Sequence, residues 1–120
     1  MSVDPVPVLD AGALDRLEGW GGAELRAKMV DLFFKNAPER VRGIRDGLAT
    51  NDLELAERSA HSLKSSAANL GGEAVRQLAA KIEGAFEVEN RAGAEALLPE
   101  LEARCAETLE ALRKVEKRDE

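Results

Sequence analysis

Apolar residues along this 120-residue chain recur at alternating spacings of three and four, the period of one face of an α-helix. Four long stretches carry the pattern. The first runs Leu25, Met29, Leu32/Phe33, Ala37, Val41, Ile44, Leu48, and stays in phase across Pro38. One helix kinked at the proline is therefore expected rather than two separate ones. The second runs Leu53, Ala56, Ala60, Leu63, Ala67, Leu70, after a cap at Thr50 or Asn51 and before a stop at Gly71-Gly72. The third is Val75, Leu78, Ala79, Ile82, Phe86. The fourth, after a turn at "EVENRAG", is Leu98, Leu101, Cys105, Leu109, Leu112, Val115, with Pro99 near its start. Upstream, Asp10 can cap a short helix that packs through Val8, Leu9, Leu14 and Leu17 and ends at "EGWGG".

No stretch reads as a strand. The expected fold is all-α: an antiparallel up-down-up-down four-helix bundle with a short extra N-terminal helix. Residues 1–9 read as an extended leader, residues 10–118 as the bundle, and the tail "KRDE" as a fraying end. Four helices can close a core within one chain, so a monomer is expected.

Composition narrows the function. A net charge of −6 gives no basic face for nucleic acid. No apolar run reaches the roughly 20 residues that cross a bilayer, and the N-terminus lacks the basic and apolar parts of an export signal. No membrane association and a cytoplasmic location are expected. One cysteine cannot form a disulfide within the chain. One histidine and one cysteine leave little for a transition-metal site.

That histidine, His61, lies in "AERSAHSLKSSAANLGG". At 100° per residue it sits roughly 130° from the centre of the second apolar seam, on the wet side of the helix. Lys64 and Ser65 follow one turn on, Glu57 and Arg58 lie one turn back, and Ala68 completes the patch. A solvated surface histidine has this placement too. A metal ligand would want a second histidine at i+4. A general base would want a cleft and an orienting group, and a convex bundle face is expected to offer neither. An exposed imidazole beside an ammonium and small side chains suits one further task. The neutral ring can accept a phosphoryl group, and Lys64 can offset its charge.

"AHSLKSSAANLGG" resembles the core motif of histidine-containing phosphotransfer (HPt) domains. Ala60, His61, Leu63, Lys64, Leu70 and Gly71 fill its places. "VLDAGALDRL", "LFFKNAPERVRGIRDGL" and "LAAKIE" resemble other segments of the family, so the likeness covers nearly the whole chain. It implies a four-helix bundle in which His61 takes a phosphoryl group from a receiver-domain aspartate and passes it to another receiver. The implied partners are the receiver domains of hybrid histidine kinases and of response regulators. Such domains are carriers rather than enzymes, and no ATP-binding segment follows the bundle. No cofactor is implied for this chain, since the Mg²⁺ belongs to the receiver. Lys64 would steady the phosphoryl oxygens, Gly71 would end the helix tightly, and Glu57, Arg58, Ser65 and Ala68 would meet the partner. Ser65 departs from the family's usual glycine but is small enough to keep access. The competing expectation is a helical interaction module that binds a receiver or kinase as inhibitor or scaffold, without being phosphorylated.

Overall fold

Asp10 begins the first helix as expected: its carboxylate accepts the Gly12 N–H at 3.0 Å. The structure, a computed structural model, describes residues 6–118. Positions 1–5 of the leader and the last two residues of the tail lie outside that range. Four helices follow one another: α1 (Ala11–Thr50), α2 (Leu53–Leu70), α3 (Glu73–Glu87) and α4 (Arg91–Arg118). Among the described residues there is no strand.

The range of α1, Ala11–Thr50, holds two helices joined across a kink inside "EGWGG", the stretch where the leading helix is expected to end: Gly22 (φ 78°, ψ −177°) is its one non-helical residue. Only glycine reaches such a φ without a Cβ clash, so the break falls there. Pro38 lies within α1 at helical dihedrals. Its ring fits the helical φ, its missing N–H leaves one helical bond unmade, and the helix runs on through it, as the in-phase seam predicts.

The turns are shorter than their composition suggests. Asn51 belongs to the end of α1, in the left-handed conformation (φ 60°), and its N–H bonds the Gly47 carbonyl. The cap of α2 is instead Asp52, whose carboxylate accepts the Leu55 N–H at 3.1 Å. Gly71 (φ 76°) ends α2, as expected. The last turn spans only residues 88–90, so Pro99 sits in the third turn of α4 rather than at its start.

The helices pack in a ring, with α1 on α2, α2 on α3, α3 on α4 and α4 back on α1. Phe33, Ile44, Leu63, Leu70, Ile82, Leu101 and Leu112 fill the centre. Ala60 and Ala67 of α2 and Ala79 of α3 are fully buried, and their small side chains let the two helices approach closely. Before Phe33 the buried line of α1 runs through Val30 and Arg26. Leu25 and Met29 are half-buried, and Leu32 is exposed. Arg26 is tolerated there because its guanidinium pairs with Glu18 (3.6 Å) and Glu116 (3.4 Å), which also ties the two parts of α1 to the end of α4. Leu53, placed in the α2 seam by its spacing, is exposed at the helix start. Burial pushes the Cys105 thiol up to about 11, which leaves it an inert core residue. Among the described residues no helix is long and apolar enough to cross a membrane.

Candidate functional site

His61 and Lys64 stand one turn apart on α2, and both turn to one carboxylate of the facing helix. Glu83 of α3 places Oε2 2.5 Å from His61 Nδ1 and Oε1 2.5 Å from Lys64 Nζ. The pairing follows from the hairpin. His61 and Glu83 each lie eleven positions from Gly72, so two antiparallel helices of equal rise bring them level. The three side chains differ in exposure: 63 % for His61, 33 % for Lys64 and 12 % for Glu83. The acid is thus sunk between the helices, and the ring lies over it with one face in water.

Burial alone would push the Glu83 carboxyl up. The hydrogen bonds from Lys64 and His61, together with the charges of those two groups, outweigh it and hold the carboxyl below its usual range. Glu83 is therefore ionised at neutral pH and can only accept. The proton of the neutral imidazole then sits on Nδ1, donated to Glu83, and the lone pair is left on Nε2. Among the described residues Nε2 has no hydrogen-bond partner. A carboxyl depressed in the folded state contributes stability that is present above its unfolded value, about 4.3, and is lost as pH falls through the folded value. Urea unfolding of the parent and of Glu83→Gln should accordingly differ at neutral pH, and the difference should shrink as pH falls below the unfolded value. A difference unchanged in acid would show that this clamp of Glu83 on His61 and Lys64 carries no ionised carboxylate.

Residues 28–115 match the family model of the Hpt domain. The chain belongs to the Hpt domain family. Histidine phosphotransfer in phosphorelays is the family's function, and receiver domains are its partners. The crystal structure of histidine-containing phosphotransfer protein B from Pseudomonas aeruginosa PAO1 superposes with a TM-score of 0.86 at 22% identity, covering 95% of this chain and 98% of that one. The structure of a putative histidine-containing phosphotransfer protein from rice gives 0.76 at 16% identity, covering 94% of this chain and 86% of that one. At these identities the likeness is one of fold. No curated protein matches the sequence.

Within this Hpt bundle the other sequence-derived site residues surround the pair without bonding to it. Arg58, Ser65 and Ala68 are exposed on α2, and Glu57 is half-buried. Gly71 is buried at the helix end. The expectation that the face offers no orienting group is corrected by Glu83, which the sequence reading left unassigned inside "LAAKIE". A signal was present. Glu83 lies about 80° from the centre of the α3 seam, too close to it for a freely solvated acid. Among the described residues no group of three or more His, Cys, Asp or Glu side chains could hold a metal ion.

Proposed function

We propose that His61 is the phosphoryl acceptor of this Hpt domain. It takes the group from a receiver's aspartyl phosphate and passes it to a second receiver. The observation that carries the reading is the exposed imidazole whose Nδ1 is engaged by the ionised Glu83, leaving Nε2 as the nucleophile. In the forward step the Nε2 lone pair attacks phosphorus. The phosphorus–oxygen bond to aspartate breaks, and the carboxylate leaves with the electron pair. The ring, keeping its Nδ1 proton, becomes an imidazolium that Glu83 stabilises. The onward step is the reverse: the next aspartate attacks, and neutral imidazole departs. Without the Nδ1 proton the departing group would be an imidazolate, a far poorer leaving group.

Lys64 has two calls on its ammonium. In the resting chain it is bonded to Glu83, and when the phosphoryl group arrives one turn away it can steady the oxygens. The chain's part is that of a carrier, and Mg²⁺ is a component of the receiver. A monomeric bundle over residues 10–118 in the cytoplasm fits this part. The test is incubation with a ³²P-labelled receiver. Label should move to this chain and be lost in acid but not in base, as a phosphoramidate behaves. Label that never leaves the receiver, across a set of receivers from the source organism, would favour a docking module without phosphotransfer.

We place the partner's contact surface at Glu57, Arg58, Ser65 and Ala68, with Ser65 nearest the phosphoryl path. Ser65→Trp should block transfer, while phosphorylation of His61 by the small donor phosphoramidate persists. Ser65 is solvent-exposed, so the fold should change by no more than about 0.5 kcal/mol. Equal receiver-dependent rates for the tryptophan variant and the parent would remove Ser65 from the docking face.

A further inference from the structure

The turn between α2 and α3 is held from outside by the segment that precedes α1. The Asp10 N–H donates to the Gly71 carbonyl at 2.7 Å, and the Ala74 N–H donates to the Pro7 carbonyl at 3.1 Å. Both bonds satisfy groups that a helix end leaves without an intrahelical partner: a carbonyl just past the end of α2, and an amide in the first turn of α3. The fit is tight. A Cβ at Gly71 would lie 2.5 Å from the Asp10 carbonyl oxygen and 2.6 Å from the Ala13 Cβ. Ala13 and Leu14, at the start of α1, are buried beneath the same contact.

We propose that residues 7–10 form a strap that sets the angle of the α2–α3 hairpin, and through it the reach of Glu83 to His61. The proposal rests on the clamp described above. The lever is long. His61 and Glu83 stand about 16 Å from the turn at 1.5 Å per residue. A change of about 10° between the helices would part them by about 3 Å, enough to break a hydrogen bond of ordinary length. Asp10 is thus a positioning residue, and it acts through its backbone N–H rather than through its capping carboxylate.

Two substitutions separate those contributions. Asp10→Ala removes the carboxylate that caps α1 but keeps the N–H. Asp10→Pro removes both, at a φ of −93° that lies near proline's range. The readout is the imidazole tautomer by ¹⁵N NMR of the full chain, at about pH 8, where an ordinary imidazole is neutral. Loss of stability alone would not move it in the folded population. The parent and Asp10→Ala should hold the proton on Nδ1. Asp10→Pro should shift the ratio toward Nε2–H by about fivefold, the equilibrium change one ordinary hydrogen bond commands. Equal ratios in the two variants would overturn the strap and leave the clamp standing. A parent ring that carries its proton on Nε2 would overturn the clamp, and the strap with it. Should Asp10→Pro fail to fold, hydrogen exchange of the unmodified chain decides the question. The Asp10 and Ala74 amides should be protected together with the hairpin amides, and exchange at the rate of a free terminus would refute the strap.

Discussion

His61→Gln should take no label above background from a phosphorylated receiver, under conditions where the parent is labelled. The chain has no other imidazole, and the proposed nucleophile is its Nε2, which has no hydrogen-bond partner among the described residues. Glutamine can still bond Glu83 through its amide N–H, but it offers no basic lone pair to phosphorus. The fold should survive. The ring is 63 % exposed, so the loss is limited to surface contacts and the bond to Glu83, about 1 kcal/mol. Circular dichroism and a thermal melt check that the variant is folded. Acid and base treatment of the labelled parent checks that the bond is a phosphoramidate. A folded His61→Gln that still accepts label would place the acceptor elsewhere and undo the proposed chemistry.

What could be read from the sequence was what a single helix reports about itself. The α2 and α3 seams need only the period of apolar letters, and all but Leu53 of those seam residues are buried. His61 was placed on the wet side by the same period. Glu83 was not assigned, because its role comes from a partner on another helix. Its own helix shows only an acid near the edge of an apolar seam. Arg26 escaped for the same reason. A charged letter reads as surface until Glu18 and Glu116 are brought to it in space. The break in α1 was legible, because "EGWGG" offers a glycine that can take a positive φ, and Gly22 takes it, while Pro38 keeps helical dihedrals. The strap was invisible in outline. It is made by backbone groups of Pro7, Asp10, Gly71 and Ala74, and apolar periodicity carries no information about them.

Glu83→Gln and Lys64→Ala together decide how the charge of the clamp is used. Glutamine keeps the size of Glu83 and an oxygen to accept the Nδ1–H, but it loses the charge. The ring gains positive charge as phosphorus is attacked, so the effect should fall on the transfer step at saturating partner. A fully enclosed donor or charge is worth about 10²-fold or more. Here the ring stands half in water, and screening should reduce the loss to about 30-fold, about 2 kcal/mol. Lys64→Ala should cost less, about tenfold. It removes support from the phosphoryl oxygens, yet it frees Glu83 to act on His61 undivided. The two changes share one carboxylate, so their effects should not add: each single loss is softened because it frees the other group, and the double variant should be slower than the product of the single losses predicts. Rapid-quench transfer from a phosphorylated receiver, at saturating partner and two ionic strengths, measures all four chains. Little salt dependence is expected, because the clamp acts after docking, whereas a charge that only steers encounter loses its effect as salt rises. Saturated rates for Glu83→Gln equal to the parent's would reduce Glu83 to a structural acid. Strictly additive losses would show that Lys64 and His61 do not compete for it.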